Sequence, residues 1–203
     1  MKLGVLGGTF DPIHNGHLAA AAASETTLGL DQVMLIPSRI PPHRHDPVGA
    51  TSEQRYEMTR LAAADHPGWT ASRIEVERQG PSYTFDTLSE LGASKGTQIF
   101  FIIGADAFAE IATWSRYPGV LDLAHFVVVS RPGITLDSLR ERVPSAFADR
   151  PSTKTRVILV EAATPDVSST DIRRRVRAGE SLSGLVPDSV ANYIRTHRLY
   201  LGQ

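Results

Sequence analysis

The stretch from Gly7 to His17 contains the residues of this chain that are best suited to phosphate chemistry. Gly7 and Gly8 follow a short apolar run, and their lack of Cβ atoms lets a ligand approach the backbone closely. A helical pattern begins at His17, and unpaired N–H groups at a helix start favour a phosphate. His14 and His17 share a face of a first helical turn, and each can donate a hydrogen bond to a phosphate oxygen. The other residues of this predicted phosphate turn are Thr9, Phe10 and Gly16.

Other interpretations of the turn must be weighed. Two imidazoles at this spacing can ligate a metal ion, but zinc sites usually need a third ligand, and the neighbouring sequence offers none. The glycines and histidines can also be purely structural. The chain lacks the Gly-x-x-x-x-Gly-Lys-[Ser/Thr] loop and the Gly-x-Gly-x-x-Gly fingerprint of other nucleotide-binding proteins. Because the turn follows the first strand and opens a helix, phosphate binding is the preferred interpretation.

A second candidate anion site lies near the other end of the chain, where Ser168, Ser169 and Thr170 precede a helical pattern. Hydroxyl residues there make good N-caps, and a helix start attracts anions. Arg173 lies in the first turn and can place its planar guanidinium on phosphate oxygens. The segment 171–198 holds six Arg against three acidic residues, so a capped helix with a solvated basic face is the alternative. Together with the phosphate turn, this segment predicts two sites that hold one triphosphate.

Short apolar runs alternate with helical patterns along the chain. The predicted strands are 3–6, 33–36, 99–103, 126–129 and 157–160, with 69–76 as a further candidate. The predicted helices are 17–28, 51–64, 84–91, 105–112, 136–143, 170–178 and 189–196. The strands are continuously apolar, which suits burial on both faces of a parallel sheet. The pattern predicts an α/β fold, a doubly wound Rossmann-like parallel sheet with helices on both faces and the C-terminal helices packed on one end.

Length and composition narrow the classes of protein. The chain has 203 residues, and neither a linker nor a repeat divides it, so a single domain over residues 1–203 is expected. The 21 Lys and Arg against 22 Asp and Glu give no sign of a nucleic-acid binder. The absence of cysteine excludes disulfides, thiolate nucleophiles and Cys-type zinc sites. No run suits a signal peptide or a bilayer, so a cytoplasmic monomer or homo-oligomer without a membrane partner is expected.

The chemistry-bearing segments resemble a known superfamily. His14-Asn15-Gly16-His17 is similar to the [His/Thr]-x-Gly-His motif of the nucleotidyltransferase α/β phosphodiesterases, and residues 167–173 are similar to their Ile-Ser-Ser-Thr-x-Ile-Arg motif, with Val167 in place of Ile. Three internal segments, 41–44, 82–88 and 101–106, narrow the resemblance to bacterial nicotinate-mononucleotide adenylyltransferases. The last of them continues to residues 112–114, with Tyr117 and Pro118 beyond, and the resemblance extends from residue 1 to about residue 198. Arg44 stands where members of that family often carry Lys.

The resemblance implies an acceptor site on the internal segments. Trp114 would stack on an electron-poor pyridine ring, although core packing is an equal alternative. The helix start at Ser82, Tyr83 and Thr84 would offer backbone N–H groups to a ligand carboxylate, as would the turn near Tyr117.

Further implied ligand contacts follow two strands. Gly104 and Asp106 are assigned to the ATP site, where Asp106 would accept hydrogen bonds from ribose hydroxyls or merely cap the next helix. His43 and Arg44, on a proline-rich loop, would hold the mononucleotide phosphate, with a solvated surface pair as the alternative. Arg131 is a weaker candidate for the same region.

The implied reaction is adenylyl transfer from ATP to nicotinate mononucleotide, which gives deamido-NAD and diphosphate. His14 and His17 would contact the α-phosphate, Ser168–Thr170 and Arg173 would hold the β- and γ-phosphates, and Mg²⁺ would accompany ATP. Two alternatives remain open. The acceptor could instead be pantetheine phosphate or nicotinamide mononucleotide, or the chain could be a non-catalytic nucleotide sensor.

Overall fold

The computed structural model describes residues 1–42, 48–92, 96–130, 134–148 and 156–202. These residues cluster into two compact units, each built from several stretches of chain. The first unit comprises Met1–Gly7, Ala20–Val33 and Tyr83–Ala163, and the second comprises Gly8–Ala19, Met34–Ser82 and Thr164–Gln203. Residues 8–17 of the phosphate turn and the whole second candidate anion site belong to the second unit, whereas Gly7, Trp114 and Tyr117 belong to the first.

The predicted parallel α/β sheet is confirmed. The strands are β1 (Lys2–Gly8), β2 (Gln32–Pro37), β3 (Trp69–Ala71), β4 (Gln98–Gly104), β5 (His125–Ser130) and β6 (Val157–Glu161). Their order is β3-β2-β1-β4-β5-β6, and the pairs β1/β4, β4/β5 and β5/β6 are parallel. The order reverses between β1 and β4, and in open α/β sheets ligands bind at the carboxyl ends of the strands at such a reversal.

Most of the helix ends lie within a few residues of the predicted ones. They are α1 (Asn15–Leu28), α2 (Ser52–Ala64), α3 (Ile74–Glu77), α4 (Thr84–Gly92), α5 (Ala105–Ala109), α6 (Leu136–Arg142), α7 (Ser169–Ala178) and α8 (Asp188–Thr196). The predicted capping box at Thr51 and Gln54 is present in both directions. Helix α1 begins two residues earlier than predicted, because the His14 carbonyl already accepts from the N–H groups of His17 and Leu18.

Two predicted elements are shorter than expected. The candidate strand 69–76 ends at Ala71, because the Ser72 hydroxyl accepts the Ile74 N–H at 3.3 Å and the chain turns into α3. The predicted helix 105–112 ends at Ala109 and continues as a 3₁₀ turn over Ile111–Thr113.

The first unit packs around its parallel strands. Val5 of β1 lies opposite Phe101 of β4, and Ile102 of β4 lies opposite Val127 of β5. All four side chains are buried, as the continuously apolar strands predict. A Cβ atom at Gly4 would lie 2.7 Å from Leu30 Cδ1, so the absence of a side chain there lets α1 and its following turn approach β1 closely.

The second unit packs helix α2 against helix α8. Met58 and Ala62 of α2 and Val190 and Ile194 of α8 are buried. Arg55 lies on the same face of α2 and is only 1% exposed, which is unusual for a charged side chain. Among the helices of the described ranges, none is both long enough and apolar enough to cross a bilayer.

Candidate active site

The phosphate turn joins β1 to α1 and is held by a buried aromatic ring. Phe10 has φ of 49°, a left-handed conformation that is uncommon for a large side chain, and its ring is buried. A Cβ atom at Gly8 would lie 2.7 Å from Phe10 Cε1, whereas one at Gly7 would only touch Phe101 at 3.6 Å. Gly8 is therefore required by the Phe10 ring itself, a reason that the sequence pattern did not indicate.

The two histidines of the turn form a stacked pair. The ring centroids of His14 and His17 are 3.6 Å apart, and Phe10 meets the His17 ring edge-on at 5.0 Å. The His17 Nδ1 accepts from the His14 backbone N–H at 3.3 Å, and the His14 Nδ1 accepts from the His17 N–H at 3.4 Å. Since each Nδ1 is an acceptor, each neutral ring carries its proton on Nε2. Both Nε2–H groups are thereby assigned as hydrogen-bond donors.

Burial keeps both imidazoles neutral near pH 7. It lowers the pKa of His14 to about 4. Burial, followed by the neighbouring charge that His14 would carry, lowers the pKa of His17 well below its usual value. A phosphate that approaches this turn near pH 7 would therefore meet two neutral N–H donors rather than two cations.

The expectation of unpaired N–H groups at the start of α1 is largely wrong. The Asn15 N–H donates to the Leu185 carbonyl at 2.9 Å, and the His17 N–H donates to the His14 carbonyl at 2.9 Å. The Asn15 side-chain amide also donates to the Gly184 carbonyl. The segment just before α8 thus occupies donors that a local sequence pattern leaves open, and the imidazoles remain as the main donors of the turn.

The hydroxyls that precede α7 have separate structural partners. Ser168 is the N-cap of α7, and its hydroxyl accepts the Asp171 N–H at 3.1 Å, as predicted. The Ser169 hydroxyl donates to the Pro12 carbonyl at 2.9 Å. The Thr170 hydroxyl accepts from Arg173 Nη2 at 3.2 Å.

Arg173 connects α7 to the phosphate turn. Its Nη1 donates to the Asp11 carbonyl at 2.7 Å and lies 3.5 Å from the Asp11 carboxylate. A Cβ atom at Gly16 would lie 3.2 Å from Val167 Cγ1, so the glycine of the first motif makes room for the first residue of the second. The structure therefore brings both predicted phosphate segments together within the second unit. We call His14, His17, Ser168–Thr170 and Arg173 the phosphate cluster.

Two other basic residues of α7 belong to a surface network. Arg174 and Arg175 both pair with Asp171, at 2.9 and 2.7 Å, and with Glu180, at 2.8 and 3.4 Å. Their hydrogen bonds lower the pKa of the Asp171 carboxyl. The alternative of a solvated basic face therefore holds for Arg174 and Arg175, whereas Arg173 contacts the phosphate turn.

The first unit holds the residues expected to bind the acceptor ring. Trp114 is half-buried, and its indole meets the Phe101 ring edge-on at 6.1 Å. Arg116, in a left-handed conformation with φ of 60°, lies over the Phe85 ring at 4.6 Å and pairs with Asp86 at 3.1 Å. Arg116 thereby connects the turn after Trp114 to the start of α4. We call Phe85, Phe101, Trp114, Arg116 and Tyr117 the aromatic cluster.

Two of the backbone donors expected for a ligand carboxylate are already paired. The Tyr117 N–H donates to the Trp114 carbonyl at 3.1 Å, which closes the turn, and the Tyr117 hydroxyl bonds to Ser145. The Ser82 N–H donates to the Ile40 carbonyl at 2.9 Å, and the Ser82 hydroxyl accepts the Arg39 N–H. The expectation for Ser82 and Tyr117 as N–H donors is therefore wrong.

Other predicted donors keep their positions. Tyr83 precedes α4 and its carbonyl accepts the Asp86 and Thr87 N–H groups, whereas Thr84 is the first residue of the helix. The first N–H groups of a helix have no partner inside it, so this end of α4 still presents donors. Gly104 is the N-cap of α5 and Asp106 lies exposed in its first turn, so Asp106 is not the cap.

The remaining predicted residues have varied positions. The carbonyl of Thr9 accepts from Arg55 Nη1 at 2.6 Å. His43, Arg44 and Arg131 lie outside the residues that the structure describes, and their assigned contacts stay predictions.

Sequence reasoning missed Asp11, Arg55 and Arg116. Arg55 donates to the carbonyls of Thr9 and Arg39 at 2.6 and 3.1 Å and so holds the phosphate turn against the residues that follow β2. A signal for it existed, because Arg55 shares the apolar stripe of α2 with Met58, Thr59 and Ala62. No local signal marks Arg116, whose partners lie in another segment. Within the part of the chain that the structure describes, no group of three or more metal-ligating side chains could hold a metal ion.

Comparison with known sequences agrees with this geometry. The cytidylyltransferase-like family profile matches residues 5–175. A protein from Geotalea daltonii, named "Probable nicotinate-nucleotide adenylyltransferase", is 42% identical over 98% of both chains. A protein of the same name from Saccharopolyspora erythraea is 42% identical over 100% of this chain and 91% of its own.

Solved structures share the fold. The Plasmodium falciparum nicotinic acid mononucleotide adenylyltransferase complexed with NaAD superposes with a TM-score of 0.74, at 15% identity over 98% of this chain and 97% of its own. The same protein complexed with APC gives a TM-score of 0.71, at 15% identity over 98% of this chain and 96% of its own.

Proposed function

Because this chain belongs to the cytidylyltransferase-like family and, within it, to the nicotinate-nucleotide adenylyltransferases, we propose that it transfers the adenylyl group of ATP to nicotinate mononucleotide. The products are deamido-NAD and diphosphate, and the reaction is a step of NAD biosynthesis. Residues 1–203 would act as one nucleotidyltransferase domain, and the family profile spans parts of both compact units. A cytoplasmic location, expected from the composition, is part of the same proposal.

One observation carries the proposal for the chemistry: the two phosphate segments interlock. Ser169 and Arg173 of α7 bond directly to the carbonyls of Pro12 and Asp11 in the phosphate turn. The donor–acceptor distances are 2.9 and 2.7 Å, and the bonded residues are more than 150 positions apart in the sequence. These bonds hold the two segments against each other. We infer that their remaining donors face one bound triphosphate, as stabilisation of charge on a transferring phosphoryl group requires.

The reaction needs no general base. A 5′-phosphate oxygen of the mononucleotide is ionised at neutral pH and attacks the α-phosphorus of ATP in line. The bond from that phosphorus to the α,β-bridging oxygen breaks, and diphosphate leaves with the electron pair. The neutral Nε2–H groups of His14 and His17 would donate to the α-phosphate and to the bridging oxygen, where negative charge develops.

The α7 end of the phosphate cluster would hold the leaving diphosphate. The side chain of Arg173 is 15% exposed, and its guanidinium is oriented by Asp11 and Thr170. A guanidinium fixed in this way loses little conformational entropy when it binds β- and γ-phosphate oxygens. The Ser168 and Thr170 hydroxyls act as acceptors and keep their protons for a ligand at this helix start. The Ser169 hydroxyl already donates to Pro12, so its predicted contact with ATP is not made through that proton.

The aromatic cluster would receive the pyridine ring. Trp114 is half-buried, so part of its indole surface is exposed, and stacking on a planar ligand is the role that we propose for it. The first N–H groups of α4 favour the nicotinate carboxylate. Arg116 neutralises Asp86, whose charge would otherwise repel that carboxylate. His43, Arg44 and Arg131 would hold the acceptor phosphate, and Gly104 and Asp106 would contact ATP.

Mg²⁺ would arrive with ATP. Such an ion would be held mainly by phosphate and water oxygens rather than by protein ligands. When bound, the ion neutralises part of the phosphate charge.

A coupled assay of diphosphate release tests the proposal. The purified chain receives ATP and Mg²⁺ with nicotinate mononucleotide, nicotinamide mononucleotide or pantetheine phosphate as the acceptor. We expect the highest kcat/KM with nicotinate mononucleotide and a dinucleotide product of the matching mass. Two outcomes would contradict the proposed function. One is diphosphate release with pantetheine phosphate alone, and the other is no diphosphate release with any of the three acceptors.

A further inference from the structure

A buried carboxylate outside the reacting groups ties three distant segments of the second unit together. The Asp11 side chain is 0% exposed. Its oxygens accept the N–H groups of Gly49 and Ala50 at 2.8 and 3.0 Å and the Tyr200 hydroxyl at 3.0 Å. The Arg173 guanidinium lies 3.5 Å away and donates to the Asp11 carbonyl. A buried charge with several donors is strongly oriented by them, so each donor affects where Arg173 rests.

Tyr200 reaches Asp11 through an unusual backbone path. Arg198 and Tyr200 have φ of 52° and 65°, in the left-handed region that residues with a Cβ atom seldom adopt. The Leu199 N–H donates to the Ile194 carbonyl at 3.0 Å, and both Leu199 and Tyr200 are buried. Such strained conformations persist only where the surroundings determine them, and they cluster at functional sites. Here the strain turns the chain after α8 back toward the phosphate turn.

The ring of Tyr200 also packs beside Arg173. A Cβ atom at Gly49 would lie 2.9 Å from Tyr200 Cδ1 and Cε1 and 3.2 Å from Arg173 Cδ. The glycine therefore lets the tyrosine ring and the arginine stem pack closely against the same stretch of backbone. Both the ring and the hydroxyl of Tyr200 therefore contact the surroundings of Arg173 and Asp11.

The Tyr200 hydroxyl is a permanent donor. Burial, with the nearby Asp11 charge, raises the pKa of this hydroxyl far above its usual value, so it stays protonated at every pH used in an assay. The Tyr200 hydroxyl can therefore donate to Asp11 throughout this pH range.

We propose that Tyr200 is a positioning residue of the triphosphate site, which rests on the proposed function in assigning that site to ATP. Its hydroxyl binds one Asp11 oxygen and so fixes the rotation of the carboxylate. The fixed carboxylate in turn keeps the Arg173 guanidinium in one orientation. Tyr200 touches neither substrate in this account and acts through Asp11 and Arg173. Loss of the hydroxyl should therefore weaken the contacts to ATP and leave those to the mononucleotide unchanged.

The variant Tyr200→Phe tests this role, because it keeps the ring and removes only the hydroxyl. Tyr193→Phe is the matched control, since Tyr193 lies on α8 and its ring stacks on the exposed His197 at 3.9 Å. Calorimetric titration with Mg·ATP, without acceptor, should give a Kd about tenfold higher for Tyr200→Phe, within the effect that a small misplacement can have. The KM for the mononucleotide should stay within about twofold, and the control should match the wild type.

A double-mutant cycle separates positioning from general loosening. If Tyr200 acts through Arg173, then Tyr200→Phe should have almost no further effect on ATP binding in an Arg173→Ala background. The same tenfold loss in both backgrounds would overturn the proposal, as would an unchanged Kd in the single variant. Should Tyr200→Phe fail to fold, Asp11→Asn tests the same contacts, and equal losses for ATP and the mononucleotide there would also overturn it.

The proposed function can fail separately. If the wild type releases no diphosphate with nicotinate mononucleotide, but Mg·ATP binding still weakens tenfold in Tyr200→Phe, the acceptor assignment falls and the positioning role stands. If the wild type is active with nicotinate mononucleotide and Tyr200→Phe binds ATP normally, the proposed function stands and the positioning role is wrong.

Discussion

The phosphate cluster and the aromatic cluster are built in different ways. In the phosphate cluster, side chains bond to backbone carbonyls across long sequence separations, as Ser169 does to Pro12 and Arg173 to Asp11. In the aromatic cluster, Trp114 meets Phe101 edge-on and Arg116 lies over the Phe85 ring, and the Arg116–Asp86 pair is 61% and 35% exposed. The second unit is thus rigid where charge would develop on phosphate. The first unit instead has exposed ring and ion-pair contacts, which single substitutions can change. We expect these contacts to determine which acceptor binds.

Discrimination between acid and amide acceptors should be the largest effect of the aromatic cluster. Donors at the start of α4 can serve both oxygens of the nicotinate carboxylate, whereas the NH₂ group of nicotinamide would face them with another donor. Sites built on such hydrogen bonds reject a mismatched analogue by ~10⁴–10⁵. We expect kcat/KM for nicotinate mononucleotide to exceed that for nicotinamide mononucleotide by a factor in this range.

The outcome also shows where specificity resides. Comparable kcat/KM values for the two mononucleotides would mean that the acceptor site was misread, while adenylyl transfer itself could stand. The ratio should be constant at every pH at which the nicotinate carboxylate is ionised.

Removal of a donor from the phosphate cluster should have the next largest effect. We expect His17→Ala to lower kcat by about 10²–10³, the usual effect of losing one preorganised donor to developing charge. His197→Ala, at the exposed end of α8, is the control and should keep the wild-type kcat. A kcat for His17→Ala within a few-fold of the wild type would remove this imidazole from the mechanism.

The stability of the phosphate cluster should depend on pH through His14. In the unfolded chain the His14 pKa returns to its ordinary value of 6.5, whereas in the folded chain it is about 4. Between these two values the unfolded state binds more protons, so the free energy of unfolding falls as the pH falls from about 7 to 4. The contribution of His14 is on the order of 3 kcal/mol.

Chemical denaturation of the wild type and His14→Asn at pH 7.5 and at pH 4 measures this contribution. We expect the wild type to lose more stability than the variant over this interval. Equal losses would show that the imidazole is solvated and protonated in the folded chain.

Truncation of Trp114 should have the smallest of these effects and should be confined to the acceptor. Stacking on an aromatic side chain contributes roughly 1–3 kcal/mol per base, so Trp114→Ala should raise the KM for the mononucleotide by about tenfold or more. The KM for ATP should change little, and Trp114→Phe should recover part of the loss. Equal rises in both KM values, together with a lower Tm, would identify Trp114 as a packing residue.

The sequence predicts the local features of both clusters well. The apolar runs, the capping box at Thr51 and the cap at Ser168 depend on neighbours within a few residues, and each appears where expected. The family resemblance, which rests on contiguous motifs, is likewise confirmed by the relatives.

The remaining features depend on contacts between distant residues. The Asn15 N–H is occupied by the Leu185 carbonyl, and the Ser82 N–H by the Ile40 carbonyl, so neither is a ligand donor. The role of Asp11 depends on Tyr200, which is 189 positions away. Such partners follow from how the chain packs, and a pattern within one window of sequence does not contain them.

The transfer of labelled oxygen tests the central claim most directly. Nicotinate mononucleotide carrying ¹⁸O in its 5′-phosphate is incubated with the chain and unlabelled Mg·ATP, and the products are analysed by mass spectrometry. If the phosphate oxygen attacks the α-phosphorus, the dinucleotide keeps the full label, including the bridging oxygen, and the released diphosphate has none. Release of AMP with the label retained in a mononucleotide that has gained phosphates would show attack at another phosphorus and would contradict the account.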